Sequence, residues 1–244
     1  MYEDRVAYQS DERSFQGVIF EPGGDASTAR PAVLVLHGGA GPGLHEHARA
    51  RMLAGLGYVA FVPDLFGEVF ASRERGIAVI TELVANPSRL RARATAALAS
   101  IAARPGVDPA RIAALGFCFG GHAALELARS GADIRAVVSI HGGLTSRAPA
   151  SAGQVRASIL VCTGAADPFV TREHRNAFED EMTAAGADWQ MHLHSGAMHG
   201  FSEQPAPGAA ARPGVSYDED ADRLAWTAAR DLLRETLEPR SVAL

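Results

Sequence analysis

Hydrophobic positions along the chain fall into short, almost continuous runs separated by longer stretches of helical period. The runs Ala32–Gly39 (AVLVLHGG), Tyr58–Asp64 (YVAFVPD), Arg111–Phe117 (RIAALGF), Ile134–Gly143 (IRAVVSIHGG) and Ser158–Asp167 (SILVCTGAAD) show little alternation. Strands of that kind are covered on both faces, as in a mainly parallel sheet between two layers of helices. Trp189–Gly196 (WQMHLHSG) repeats the pattern with more alternation, and Phe15–Pro22 (FQGVIFEP) reads as an antiparallel edge strand or hairpin member. Helical period recurs at Leu44–Leu56, Ser88–Ala103, Phe119–Ser130, Thr171–Ala185 and Asp218–Leu237, with a further stretch at Ser72–Ala85. Strands alternating with helices in this way predict an α/β fold with helices on both faces of the sheet. The chain has 244 residues and contains no repeat or long linker, so one domain over residues 1–244 is expected. The Pro/Gly/Ala segment Gln204–Gly214 reads as a surface loop, with a lid over a pocket as the functional alternative.

Composition narrows the function classes. Hydrophobic residues make up 47% and charged ones 21%, which fits neither a disordered chain nor a membrane bundle. All 23 basic residues are arginine, and the absence of lysine removes Schiff-base and phosphate-loop lysine chemistry. The net charge is −5 with the arginines scattered, so neither nucleic acid nor an anionic membrane is an expected partner. No apolar run approaches the roughly 18 residues of a membrane span. The charged opening MYEDRVAYQSDERSF lacks the apolar segment of a signal peptide. Two cysteines, Cys118 and Cys162, cannot build a disulfide framework, and a cytoplasmic location is expected. In a reducing compartment each cysteine is core filler, metal ligand or nucleophile. Cys162 lies inside an apolar strand and reads as core.

Cys118 stands in LGFCFGG (Leu115–Gly121), where a strand should pass into a helix. Gly116 and Gly120 flank it at the spacing of a nucleophile elbow, in which side chains two residues before and after the nucleophile would collide with neighbouring backbone. The head of the following helix favours a thiolate through its dipole and unpaired N–H groups. A nucleophile needs a base, and the base needs an acid to orient it. Asp167 and His199 follow the later strands Ser158–Asp167 and Trp189–Gly196, in the order nucleophile, acid, histidine. An oxyanion would be received by the N–H groups of Phe119, the residue after the nucleophile, and Gly39 in the run HGGAGPG, with Ala40 as the neighbouring alternative. Phe66, Phe169 and Phe201 lie in predicted loops on the same side, where each could wall an apolar pocket or fill the core. His141 ends a strand there and reads equally as support for the site or as a loop hydrogen bond. No cofactor and no metal site is expected: His45 with His47 and His192 with His194 lack a third ligand at suitable spacing.

With these residues placed, the chain resembles the dienelactone hydrolase family of α/β-hydrolases, from PAVLVLHGG through GYVAFVPDLFG, LGFCFGG and GAADPFV to MHGF. Cysteine at the elbow, where most α/β-hydrolases carry serine, is the specific part of the likeness. The resemblance implies an α/β-hydrolase fold without a large cap domain and hydrolysis of a small-molecule ester or lactone through a thioacyl-enzyme. Two positions depart from the family. Where its members carry a glutamate contacting the resting cysteine, this chain has Gly38, and where they carry an arginine for the substrate carboxylate it has Glu203. A carboxylate would be repelled by Glu203 rather than clamped. Arg73 and Arg75 could supply a cation but read as solvated helix charges. The reading from another class is a thiol-sensing or ligand-binding protein on a hydrolase scaffold, since an exposed, acidic thiol is also what peroxide oxidises. Oligomeric state is not legible in the sequence.

Overall fold

The computed structural model describes residues 1–23, 28–205, 208 and 210–238. Its strands are β1 (Tyr2–Ser10), β2 (Arg13–Glu21), β3 (Arg30–Leu36), β4 (Val59–Pro63), β5 (Val107–Phe117), β6 (Ala136–Ile140), β7 (Ser158–Gly164) and β8 (Trp189–His194). The helices are α1 (Leu44–Gly55), α2 (Arg73–Ala85), α3 (Pro87–Ala102), α4 (Phe119–Arg129), α5 (Arg172–Ala184) and α6 (Glu219–Leu237). Among the described residues the strands form one sheet in the order β1-β2-β4-β3-β5-β6-β7-β8, and from β4 through β8 every neighbouring pair is parallel. This is the α/β-hydrolase architecture, and no separate cap domain stands over the sheet among the described residues.

The lack of alternation in the central strands has a direct cause. Along β3, Leu34 and Leu36 point into one core and Val33 and Val35 into the other. Side chains of α2, α3, α4 and α5, including Val79, Leu90, Ala123 and Phe178, close the first core. Those of α1 and α6, including Leu53, Trp226 and Leu233, close the second. Successive strand residues are therefore apolar because both faces are covered. Helix α4 is buried along its whole length, which explains its Ala, Leu, Phe and Gly, and its buried Glu126 and Arg129 pair with each other at 3.1 Å.

Only β1 is absent from the sequence expectations. Of its nine residues Tyr8 alone is fully buried, and Glu3, Asp4 and Arg5 decorate the open edge, where charge discourages pairing with another chain. It pairs with β2 through a two-residue turn in which Asp11 and Glu12 both have positive φ, at 50° and 59°. Asp-Gly or Asn-Gly would have announced such a turn; Asp-Glu does not.

The strand order sets the position of the site. After β3 the chain crosses to one side to make β4, then to the other side of β3 to make β5. The loops leaving the carboxyl ends of β3 and β5 consequently diverge and open a crevice between them, the place where an open parallel sheet binds ligands.

Candidate active site

Two contacts force the backbone at the head of α4. A Cβ added at Gly116 would lie 2.0 Å from the Gly120 carbonyl oxygen, and one at Gly120 would lie 2.1 Å from that of Leu36. Glycine at both positions lets the turn from β5 into α4 press against β3. Cys118 between them is held at φ 51° and ψ −115°, a conformation that costs a non-glycine residue on the order of 1–3 kcal/mol. The turn leaves the Cys118 side chain partly exposed just beyond the carboxyl end of β5.

The loops after β7 and β8 meet Cys118 there. A Cβ at Gly164 would lie 2.2 Å from the Ala197 carbonyl oxygen, so the two loops pack backbone to backbone. His199 Nε2 stands 3.1 Å from Cys118 Sγ, and His199 Nδ1 stands 2.9 Å from Asp167 Oδ2. Asp167 is itself fixed, because its Oδ1 accepts the N–H groups of Phe169 at 2.8 Å and Val170 at 3.2 Å. Acceptance at Asp167 directs the Nδ1 proton of His199 toward the acid and turns Nε2 toward the sulfur. Burial opposes charge on His199, but its hydrogen bonds to Asp167 and Cys118 outweigh burial and push its pKa up to about 10. The His199 backbone is strapped from the far side: its N–H donates to Gly214 O at 3.1 Å and its carbonyl accepts from Ser216 at 3.1 Å. Of the segment Gln204–Gly214, residues 206, 207 and 209 lie outside the described residues, and with them the lid reading.

The expected oxyanion donors, Phe119 and Gly39, lie at the head of α4 and in the loop after β3. The Phe119 N–H is the first of α4 and donates to no described residue; the same holds for Gly39. Gly38 lies nearer Cys118, but its N–H is already engaged by Glu46 Oε1 at 3.1 Å. His37 shapes this loop. Its Nε2 accepts the Leu65 N–H at 2.9 Å, which leaves Nδ1–H to donate to Gly38 O at 2.8 Å. Burial holds the His37 pKa below its ordinary value, in keeping with a neutral ring.

The phenylalanines separate. Phe66 packs between His37, Phe70 and Phe119 and is 1% exposed, and Phe201 packs against His141 and is fully buried, so both rings belong to the cores. Phe169 is 56% exposed and stands edge to face with His199 at 5.2 Å, an apolar surface beside the Cys118–His199 pair. Arg75 is committed to Glu68 at 2.6 Å, away from the sulfur.

Four further groups border the site: His141 and Glu203, which the sequence marked, and Ser202 and Glu46, which it did not single out. His141, fully buried at φ 42°, accepts the Cys118 N–H at Nδ1 (3.1 Å) and so donates from Nε2 to Ser202 Oγ (2.8 Å). Its ring also lies 5.3 Å from that of His199, and burial, then the charge of His199, hold its pKa well down. Ser202 carries no motif. Glu46 had a signal, a glutamate three residues past the first cap position of α1, and its second oxygen accepts the Gly43 N–H at 3.0 Å. Glu203 Oε1 lies 3.3 Å from where a Cβ of Gly38 would be, and burial, then repulsion by Glu46, raise its pKa.

Among the described residues no three His, Cys, Asp or Glu side chains are arranged to hold a metal, and no helix is long and apolar enough to cross a membrane. Burial pushes the Cys162 thiol up to about 12, as expected of core sulfur.

Comparison with known proteins agrees with this architecture. Residues 15–237 match the model of the dienelactone hydrolase family. An uncharacterised Caenorhabditis elegans protein is 38% identical over 152 residues, covering 60% of this chain and 94% of that one. The solved structure designated m3DLH is 36% identical at a TM-score of 0.90, with 97% of this chain and 99% of that chain covered. A dienelactone hydrolase-like promiscuous phosphotriesterase from metagenomic libraries is 37% identical at a TM-score of 0.88, with 96% and 98% covered.

Proposed function

The chain belongs to the dienelactone hydrolase family and is a carboxylic ester or lactone hydrolase, and from that premise we propose that Cys118, His199 and Asp167 act as its catalytic triad. The observation that carries the reading is the relay of hydrogen bonds from sulfur to imidazole to carboxylate, at 3.1 and 2.9 Å, assembled from three separate loops. His199 takes the Cys118 proton at Nε2 while Asp167 stabilises the imidazolium, and the thiolate attacks the substrate carbonyl. The oxygen that gains charge is received by the Phe119 and Gly39 N–H groups. Collapse breaks the bond to the alkoxide, which leaves with the proton from His199, and a thioester remains on Cys118. From a lactone the same step gives a hydroxyacyl thioester with the alcohol still attached. Water, deprotonated by His199, then cleaves the thioester and returns the thiol. Phe169 supplies an apolar face to the substrate at the rim. This chemistry suits the cytoplasm, where Cys118 and Cys162, both unpaired, stay reduced.

A second reading comes from the phosphotriesterase likeness. A neutral phosphotriester could be attacked by the same thiolate, expelling its alkoxide, with the phosphoryl oxygen held by the same N–H pair.

Steady-state assay of an activated aryl ester tests the proposal. Cys118→Ala and His199→Ala should each lose on the order of a thousandfold or more in kcat, and Asp167→Asn about a hundred- to ten-thousandfold. Undiminished turnover by Cys118→Ala ends it. Reversible oxidation of Cys118 with no hydrolysis across an ester panel would point instead to a thiol sensor.

A further inference from the structure

Resting on the proposed triad, we infer that Glu203 sets the charge preference of the enzyme: its carboxyl, folded into the hollow left by Gly38 beside Cys118, selects cationic and neutral acyl groups over anionic ones.

The hollow is defined by three atoms. A Cβ on Gly38 would meet Glu203 Oε1 at 3.3 Å, Cys118 Cβ at 3.8 Å and Glu46 Oε1 at 3.8 Å. Glycine at 38 therefore opens a space bordered by the nucleophile on one side and two carboxyl groups on the others. Glu203 is turned into this space by the short loop after His199, closed by its own N–H donating to Gly200 O at 2.9 Å. A residue four positions past the histidine is thereby brought opposite one that follows β3.

The two carboxyls play different parts. Glu46 is buried and spends one oxygen on the Gly38 N–H and the other on the Gly43 N–H. It is a fixed charge behind the wall. The Glu203 carboxyl accepts no hydrogen bond from the described residues, is half-buried and borders the same Gly38 position as Cys118 Cβ, so it is the uncommitted carboxyl beside the nucleophile. Two cations act on it, His199 and then Arg212; His199 is already paired with Asp167, Arg212 lies exposed, and Arg49 is paired with Asp222. A substrate carboxylate placed here faces the carboxyls of Glu203 and Glu46, whereas a trimethylammonium group would find an opposite charge.

The test compares p-nitrophenyl esters of three acids of equal length: one ending in trimethylammonium, its neutral tert-butyl isostere, and a dicarboxylic half-ester. For the wild type, kcat/KM should be at least about tenfold higher for the cationic than for the anionic ester. That ratio should fall toward one in Glu203→Gln and invert in Glu203→Arg. A wild-type ratio near one, or the wild-type ratio retained in Glu203→Gln, overturns the inference while leaving the triad standing. Retention of the whole panel's turnover by Cys118→Ala would overturn the triad and this inference together. A ratio of rates isolates charge selection, because a variant that merely loosens the loop slows all three esters alike.

Discussion

Cys118 holds its strained backbone because its neighbours over-determine it. Glycines at 116 and 120 allow the close approach, the N–H is anchored by Ile140 O and His141 Nδ1, each at 3.1 Å, and the carbonyl begins α4. His141 has to stay neutral to accept that N–H, and burial keeps it so. At His199 the balance runs the other way, and its raised pKa makes a prediction about stability. The folded-state value of about 10 lies above the ordinary 6.5. The pairing with Asp167 and Cys118 therefore stabilises the fold fully below pH 6.5 and loses that contribution as pH rises through about 10. The gap in urea midpoint between wild type and His199→Gln should be widest near pH 6 and close by about pH 10, and a gap that stays constant or widens would contradict it. The juxtaposition of Cys118, His199 and Asp167 was legible because each follows a recognisable strand. Ser202 was not, since a lone serine in a loop acquires meaning only when the fold brings His141 onto it.

At the scale of elements, the pattern of buried runs located seven of the strands and all of the helices in the structure. What it could not locate was β1, whose single fully buried residue leaves no periodic signal and whose turn lacks glycine. The elbow shows how element packing and chemistry are joined. Gly120→Ala drives a methyl group to within 2.1 Å of the Leu36 carbonyl, a backbone atom in the middle of the sheet that has no room to yield. Gly55, at the end of α1, has nothing within 4 Å of an added Cβ. Thermal denaturation should show Gly120→Ala destabilised by about 3 kcal/mol or more, or failing to fold, whereas Gly55→Ala should be neutral or stabilising by up to about 1 kcal/mol. Comparable small losses in both would mean that the close packing of β3 against α4 is not required.

At the scale of the whole molecule, the placement of the candidate site follows from the order in which strands enter the sheet. Because β4 and β5 fall on opposite sides of β3, the loops carrying Gly39 and Cys118 part around a crevice, and β7 and β8 bring Asp167 and His199 to its rim. That convergence was legible in outline, since strand–helix alternation implies a parallel sheet whose carboxyl ends share one edge. The approach of Glu203 to Gly38 was not, because it depends on loop paths that no periodicity encodes; sequence alone marked the two residues only as separate departures from a family pattern. In the proposed reaction the sulfur at position 118 carries the acyl group between the two halves of the cycle. Acid-quenched mass spectrometry of the protein mixed with a slowly hydrolysed ester would trap that acyl group. A mass gain equal to one acyl group is expected, mapped to the Cys118 peptide, discharged by hydroxylamine and absent from Cys118→Ala. An acyl group mapped to another residue, or product formed by Cys118→Ala at the wild-type rate, would contradict it.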